Sequence, residues 1–275
     1  MSMNVDIEAP PTGAQTPHDK SGQPRILLFG DSHSNAIQRA IEKREGKGTP
    51  SPIIAYRLLK EKNGRSIGDM RFEDFLEKAG KLGREDIVLS MIGGNQHAVF
   101  STVQHPQPFD FFAPGEAAPA VQFAGEIVPY RALEHAFAKG LERGDGQSLE
   151  ALRKATVARV VHIISPPPKQ DNAHIQQYHE SHFANDGLAS RGVSPPELRL
   201  KFWKLQTRVL ESLCAALGIE VMMPPARTID ENGFLRREYY AQDATHANWR
   251  YGERVLREVE RRFLPAGPSP ERCAA

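Results

Sequence analysis

Ser32, Asn95, Asp243 and His246 are the residues of this sequence whose types and positions most suggest chemistry. Ser32 stands just after the apolar run Ile26-Leu27-Leu28-Phe29, which Gly30 ends. Ala36, Ile37, Ala40 and Ile41 follow at spacings of three and four, a helical pattern. The serine hydroxyl is therefore expected where a strand ends and a helix dipole begins, a favourable place for a nucleophile or a bound anion. The same position suits a helix cap by Asp31, Ser32 or Ser34. Asn95 follows a second apolar run, Asp86–Ile92, through Gly93-Gly94. It reads either as a donor or as a turn residue. Asp243 and His246 follow the fifth strand and stand three apart, so one turn of chain can bring both side chains to one side. Asp243 also reads as a cap for the last helix.

These residues need a scaffold that opens their loops at one edge. Strand patterns at 26–30, 51–58, 86–92, 156–165 and 219–223 alternate with helical patterns. The strands are continuous apolar runs rather than alternating ones, which predicts a parallel sheet covered by helices on both faces. The expected fold is α/β, a three-layer α/β/α sandwich of the flavodoxin-like kind with five parallel strands. Ligands of such sheets bind outside the carboxyl ends of the strands, where Ser32, Asn95, Asp243 and His246 would converge. The longest helix is expected from Pro196 to Leu217, capped by Gly218, and the last from about Ala247 to Phe263.

The expected organisation is one domain over 24–264, with a flexible arm at 1–23 and a flexible tail at 265–275. Segments 98–130 and 169–195 lack a period and are expected as long loop insertions, a length often tied to function. Phe109, Phe111 and Phe112 in the first read as core packing or as walls of a pocket. His174, His179 and His182 in the second lack companion ligands at recognised spacing, so no metal and no cofactor is expected.

The 275 residues carry a formal net charge of +1, which gives no electrostatic drive towards nucleic acid or an anionic membrane. Two cysteines, Cys214 and Cys273, make no disulfide or zinc pattern. No signal-peptide pattern or membrane-length apolar run is present, so a cytoplasmic protein is expected.

Four short blocks together resemble the SGNH, or GDSL, hydrolases. Gly30-Asp31-Ser32-His33 resembles their first block, Gly68 their second-block glycine, Gly93-Gly94-Asn95 the third, and Asp243-Ala244-Thr245-His246 the closing Asp-x-x-His. Order and approximate spacing agree from about residue 25 to 263. The resemblance implies Ser32 as nucleophile, His246 as general base and Asp243 as its orienter. It implies an oxyanion hole from the Ser32 and Gly68 N–H groups and the Asn95 amide. His33 and Gln96 depart from the usual residues. A Gly-Asp-Ser-His block also resembles branches acting on acylated polysaccharides, which leans the expected substrate towards small O-acyl groups on a carbohydrate or similar alcohol. His33 and His97 then read as substrate-binding or as structural histidines. The alternatives are an O-acyltransferase using the same triad and a non-catalytic module binding glycan or protein.

Overall fold

The computed structural model describes residues 23–62, 64–116 and 125–264. The arm and tail expected at the two ends lie outside these residues, apart from Gln23. Five parallel strands form the central sheet: β1 (Ile26–Gly30), β2 (Ile53–Arg57), β3 (Ile87–Met91), β4 (Arg159–Ile163) and β5 (Glu220–Met222). Their order is β2-β1-β3-β4-β5. The chain winds one way from β1 to β2 and the other way from β3 onwards. The crevice where the winding reverses lies beyond the ends of β1 and β3.

Alternate residues of each strand enter two different cores. Leu27, Phe29, Val88 and Val160 face one helical layer. That layer holds α2 (Phe72–Gly80), α4 (Tyr130–Glu142), α5 (Asp145–Ala155) and the long α9 (Pro196–Ala216), with α3 (Gln96–Ser101) packed on α9. Ile26, Leu28, Leu89 and Val161 face the other layer, made by α1 (Asn35–Glu45) and α10 (Trp249–Phe263). Burial on both sides is why the strands read as unbroken apolar runs. The three-layer architecture expected from the sequence is present.

After β2 an antiparallel strand pair forms, Lys60–Lys62 with Arg65–Ile67. Two local expectations need correction. The last helix starts at Trp249, because the Asn248 side chain accepts from the Arg250 N–H and caps it. The segment 169–195 is largely helical: α6 (Asn172–Gln177), α7 (Ser181–Asn185) and α8 (Leu188–Arg191). Its Ile175, Phe183 and Leu188 form a small core with Ala98 and Ala244. Within 98–130, Phe109–Asp110 pairs with Glu126–Ile127, and 117–124 lie outside the described residues. No helix among the described residues is long and apolar enough to cross a membrane.

Candidate active site

The chain leaves β1 through Gly30, where a side chain has no room: a Cβ would lie 2.6 Å from Met91 Cβ. Asp31 then ties three strand ends together. Its carboxylate accepts from the Gly93 N–H at 2.7 Å and pairs with Lys60 Nζ at 2.6 Å. Its carbonyl accepts from the Ser34 N–H and from Ser34 Oγ. None of Asp31, Ser32 or Ser34 caps a helix end through its side chain. Ser32 opens a 3-10 turn with its hydroxyl exposed, and its N–H meets no protein acceptor among the described residues. That is the normal state of a donor in the first turn of a helix.

The exposed hydroxyl meets the loop after β5. Ser32 Oγ lies 2.7 Å from His246 Nε2. On the far side of the ring, His246 Nδ1 is 3.0 Å from Asp243 Oδ2. The other Asp243 oxygen accepts from the His246 and Thr245 N–H groups at 2.7 and 3.1 Å. Asp243 therefore holds both ends of the turn that presents the imidazole, and it caps no helix. In this line of hydroxyl, imidazole and carboxylate at hydrogen-bond distances, an imidazole held by a carboxylate can accept the proton of a hydroxyl.

Asn95 enters from the neighbouring strand end. Gly93 and Gly94 precede it with φ of 79° and 93°, and a Cβ on Gly93 would sit 2.4 Å from Asp145 Oδ2. Asn95 itself has φ −98°, so it is no left-handed turn residue. Its Oδ1 lies 2.6 Å from His33 Nε2. An amide oxygen only accepts, so the imidazole donates and the Asn95 NH₂ is left for another partner.

His33 and His97 do not face solvent where a substrate would touch them; each is 4% exposed. Burial, with the charge of His246 second, pushes the His33 pKa down to about 3, so the ring is neutral. Burial likewise brings His97 to about 4. The His97 backbone N–H donates to Gln206 on α9. Phe111 is buried and lines a small pocket with Tyr130 and Lys201, while Phe109 and Phe112 are half-buried. Phe109 and Phe111 pack on Phe202, Phe111 also on Tyr130, and Phe112 lies under Lys201 Nζ. Apolar rings in a segment without a period tell composition, not direction. Gly68 takes φ 117°, and a Cβ there would lie 2.3 Å from the Leu58 carbonyl oxygen. Its Cα side is closed by the Leu58–Leu59 backbone.

Two residues with no sequence signal of their own complete the site. Lys169, wholly buried, donates from Nζ to the carbonyls of Ala241 (2.8 Å) and Asp243 (2.5 Å), and lies 3.2 Å from Asp243 Oδ1. Burial pulls its pKa down against the attraction of Asp243. Glu180, between α6 and α7, has Oε1 3.3 Å from His246 Nδ1. The one sequence clue was position: Lys169 follows the proline run 166–168 that ends β4, at the same sheet edge. Burial alone would lower the His246 pKa, but the Asp243 and Glu180 carboxylates raise it to about 9. Burial alone would raise Asp243, but the hydrogen bond from His246 holds it well below the usual carboxylate range. Ligand atoms of Glu180, Asp243 and His246 lie within 4.8 Å of one another, so these three could hold a cation; the Lys169 ammonium already meets Asp243 there. His174 and His179 join no such group among the described residues. The side chain of His182 lies outside them.

No protein-family model matches the chain, and no curated protein does. Among solved structures, it is similar to a GDSL-like lipase from Bacteroides thetaiotaomicron, with 15% identity, 91% of each chain covered and a TM-score of 0.40. It is also similar to a carbohydrate acetylesterase from Sinorhizobium meliloti, with 14% identity, 86% of this chain and 96% of that one covered, and a TM-score of 0.40. An extracellular lipase from Streptomyces rimosus gives 11% identity, coverage of 86% and 99%, and a TM-score of 0.44.

Proposed function

We propose that this protein is a serine esterase of the SGNH type. The observation that carries the reading is the line Ser32 Oγ, His246 Nε2, His246 Nδ1, Asp243 Oδ2, with gaps of 2.7 and 3.0 Å at one sheet edge. In the first step Ser32 Oγ attacks the ester carbonyl and His246 Nε2 takes its proton. The new Oγ–C bond makes a tetrahedral intermediate whose oxyanion meets the free Ser32 N–H, the Asn95 amide and the Gly68 N–H. The C–O bond to the alcohol then breaks, and His246 returns the proton to the leaving oxygen. Water, deprotonated by His246, attacks the acyl-Ser32 in the same manner and releases the acid.

The preferred substrate is a small O-acyl group, acetyl above all, on a carbohydrate or similar alcohol. This follows from the resemblance carried by Gly30–His33. The exposed Ser32 hydroxyl leaves the acyl-enzyme open to water, which favours hydrolysis over transfer to a second alcohol. The complete relay argues against a purely binding role.

The test is acetate release from p-nitrophenyl acetate and from acetylated sugars by the wild type and by Ser32→Ala. The expected result is turnover by the wild type and a loss of at least about 10³-fold in the variant. Equal rates in the two proteins overturn the reading, and transfer to an added sugar without free acid points to an acyltransferase.

A further inference from the structure

We infer that Glu180 is a positioning residue for the base: a second carboxylate on His246 that sets the pH at which Ser32 becomes active. The inference deepens the esterase reading and rests on it.

Glu180 grips the turn between Asp243 and His246 from outside. Its Oε2 accepts from the Ala244 N–H at 3.1 Å, and its Oε1 accepts from Thr245 Oγ1 at 2.9 Å. That same Oε1 faces His246 Nδ1 at 3.3 Å, beside Asp243 Oδ2 at 3.0 Å. The Nδ1–H thus donates to Asp243 and lies within ion-pair distance of a second carboxylate, Glu180.

The titratable groups around His246 come from four parts of the chain. Asp243 lies on its own loop and Glu180 comes from the α6–α7 connection. Lys169, after β4, meets Asp243 Oδ1 at 3.2 Å. His33, after β1, stacks at a tilt with ring centroids 4.8 Å apart and is neutral. The hydrogen bond to Asp243 does most to raise His246, and Glu180 sets a second carboxylate beside it, on the side away from Lys169's contact with Asp243 Oδ1. Glu180 thereby favours the imidazolium that forms when His246 takes the Ser32 proton. The same field makes the ring hold a proton before reaction, in line with its pKa near 9. Both Lys169 and Glu180, the two charges set against Asp243 and His246, belong to the segment 169–195.

The experiment follows the His246 imidazole by ¹H–¹⁵N NMR across pH 5–11 in the full chain, assigned by its loss in His246→Asn, alongside the pH profile of kcat/KM. The wild type is expected to titrate near pH 9. In Glu180→Gln the midpoint moves to lower pH by at least one unit, a tenfold change in proton affinity. The rate at pH 7 then rises relative to the wild type, while the alkaline plateau falls. Glu180→Asp keeps the charge and a midpoint closer to that of the wild type. Should Glu180→Gln fail to fold, Thr245→Val, which frees Glu180 Oε1 from its hydroxyl partner, gives a smaller change in the midpoint. An unmoved midpoint in the folded variants, with rates lower at every pH, overturns the proposal. A midpoint that moves in Glu180→Gln while the wild type shows no esterase activity keeps the effect on the ring and removes the esterase reading instead.

Discussion

Asn95 depends for its usefulness on a histidine beside the candidate nucleophile. The His33 ring donates to Asn95 Oδ1 at 2.6 Å, which fixes the amide with its NH₂ turned to another partner. The donation needs only a neutral ring, and burial supplies that state by driving the pKa to about 3. Asn95→Ala is expected to lower kcat by about 10²–10³, or ~2.7–4 kcal/mol, with little change in KM, because the lost donor acts on charge that develops in the transition state. Steady-state kinetics on p-nitrophenyl acetate checks this, and an unchanged kcat removes Asn95 from the oxyanion role. At this scale the sequence was readable for Ser32, Asn95, Asp243 and His246, since each follows a strand with an apolar signature. It was silent on Glu180 and Lys169. They sit in a polar stretch whose only anchors, Ile175, Phe183 and Leu188, are irregularly spaced. Irregular spacing gives no register, so no face can be assigned before the chain is folded.

Two helices set the distance between the hydroxyl and the imidazole. α1 begins at Asn35, just after Ser32, and α10 begins at Trp249, just after His246. Both cover the same face of the sheet, and their backbones nearly touch at Gly252. A Cβ there would lie 2.0 Å from the Ala36 carbonyl oxygen. Arg44 on α1 reinforces the pair through Glu253 at 2.7 Å and through Glu260. Gly252→Ala must push α10 away from α1, since the obstacle is backbone. The expected cost is about 1–3 kcal/mol of stability from overpacking. A fall in kcat should accompany it, because an ångström of misplacement at a reacting pair is felt strongly. Thermal melts and kinetics test this; a variant with unchanged Tm and kcat shows that the helix contact does not set the site. Sequence patterning located both helices, but their closeness was hidden. A glycine inside a helical pattern shows only that a side chain is missing, not what fills the space.

The molecule as a whole is built around neutral buried imidazoles on one side of the pH scale and a charged one on the other. Burial lowers His33 to about 3, and His97 and His162 to about 4, from an ordinary 6.5. The unfolded chain binds these protons more tightly than the folded one. Their stabilisation is therefore complete above about pH 6.5 and is lost as pH falls through 6.5 towards 4. His246 has the opposite sign. Raised to about 9, it stabilises the fold fully below 6.5, and that contribution fades as pH rises through 9. Tm measured from pH 4 to 10 should form a dome, steeper on the acid side. His162→Asn, on β4 with its ring 3.4 Å from Ser90 Oγ, should flatten the acid limb. A Tm that stays level between pH 6.5 and 4.5 contradicts this account of the buried rings.

The predictions on rate all depend on whether Ser32 is a nucleophile. The most direct measurement is intact-protein and peptide mass spectrometry after exposure of the folded chain to a fluorophosphonate. The expected result is one phosphonyl adduct on the peptide carrying Ser32, forming faster as pH approaches 9 and absent from His246→Ala. A folded chain that remains unmodified while a control serine esterase is labelled contradicts the central claim.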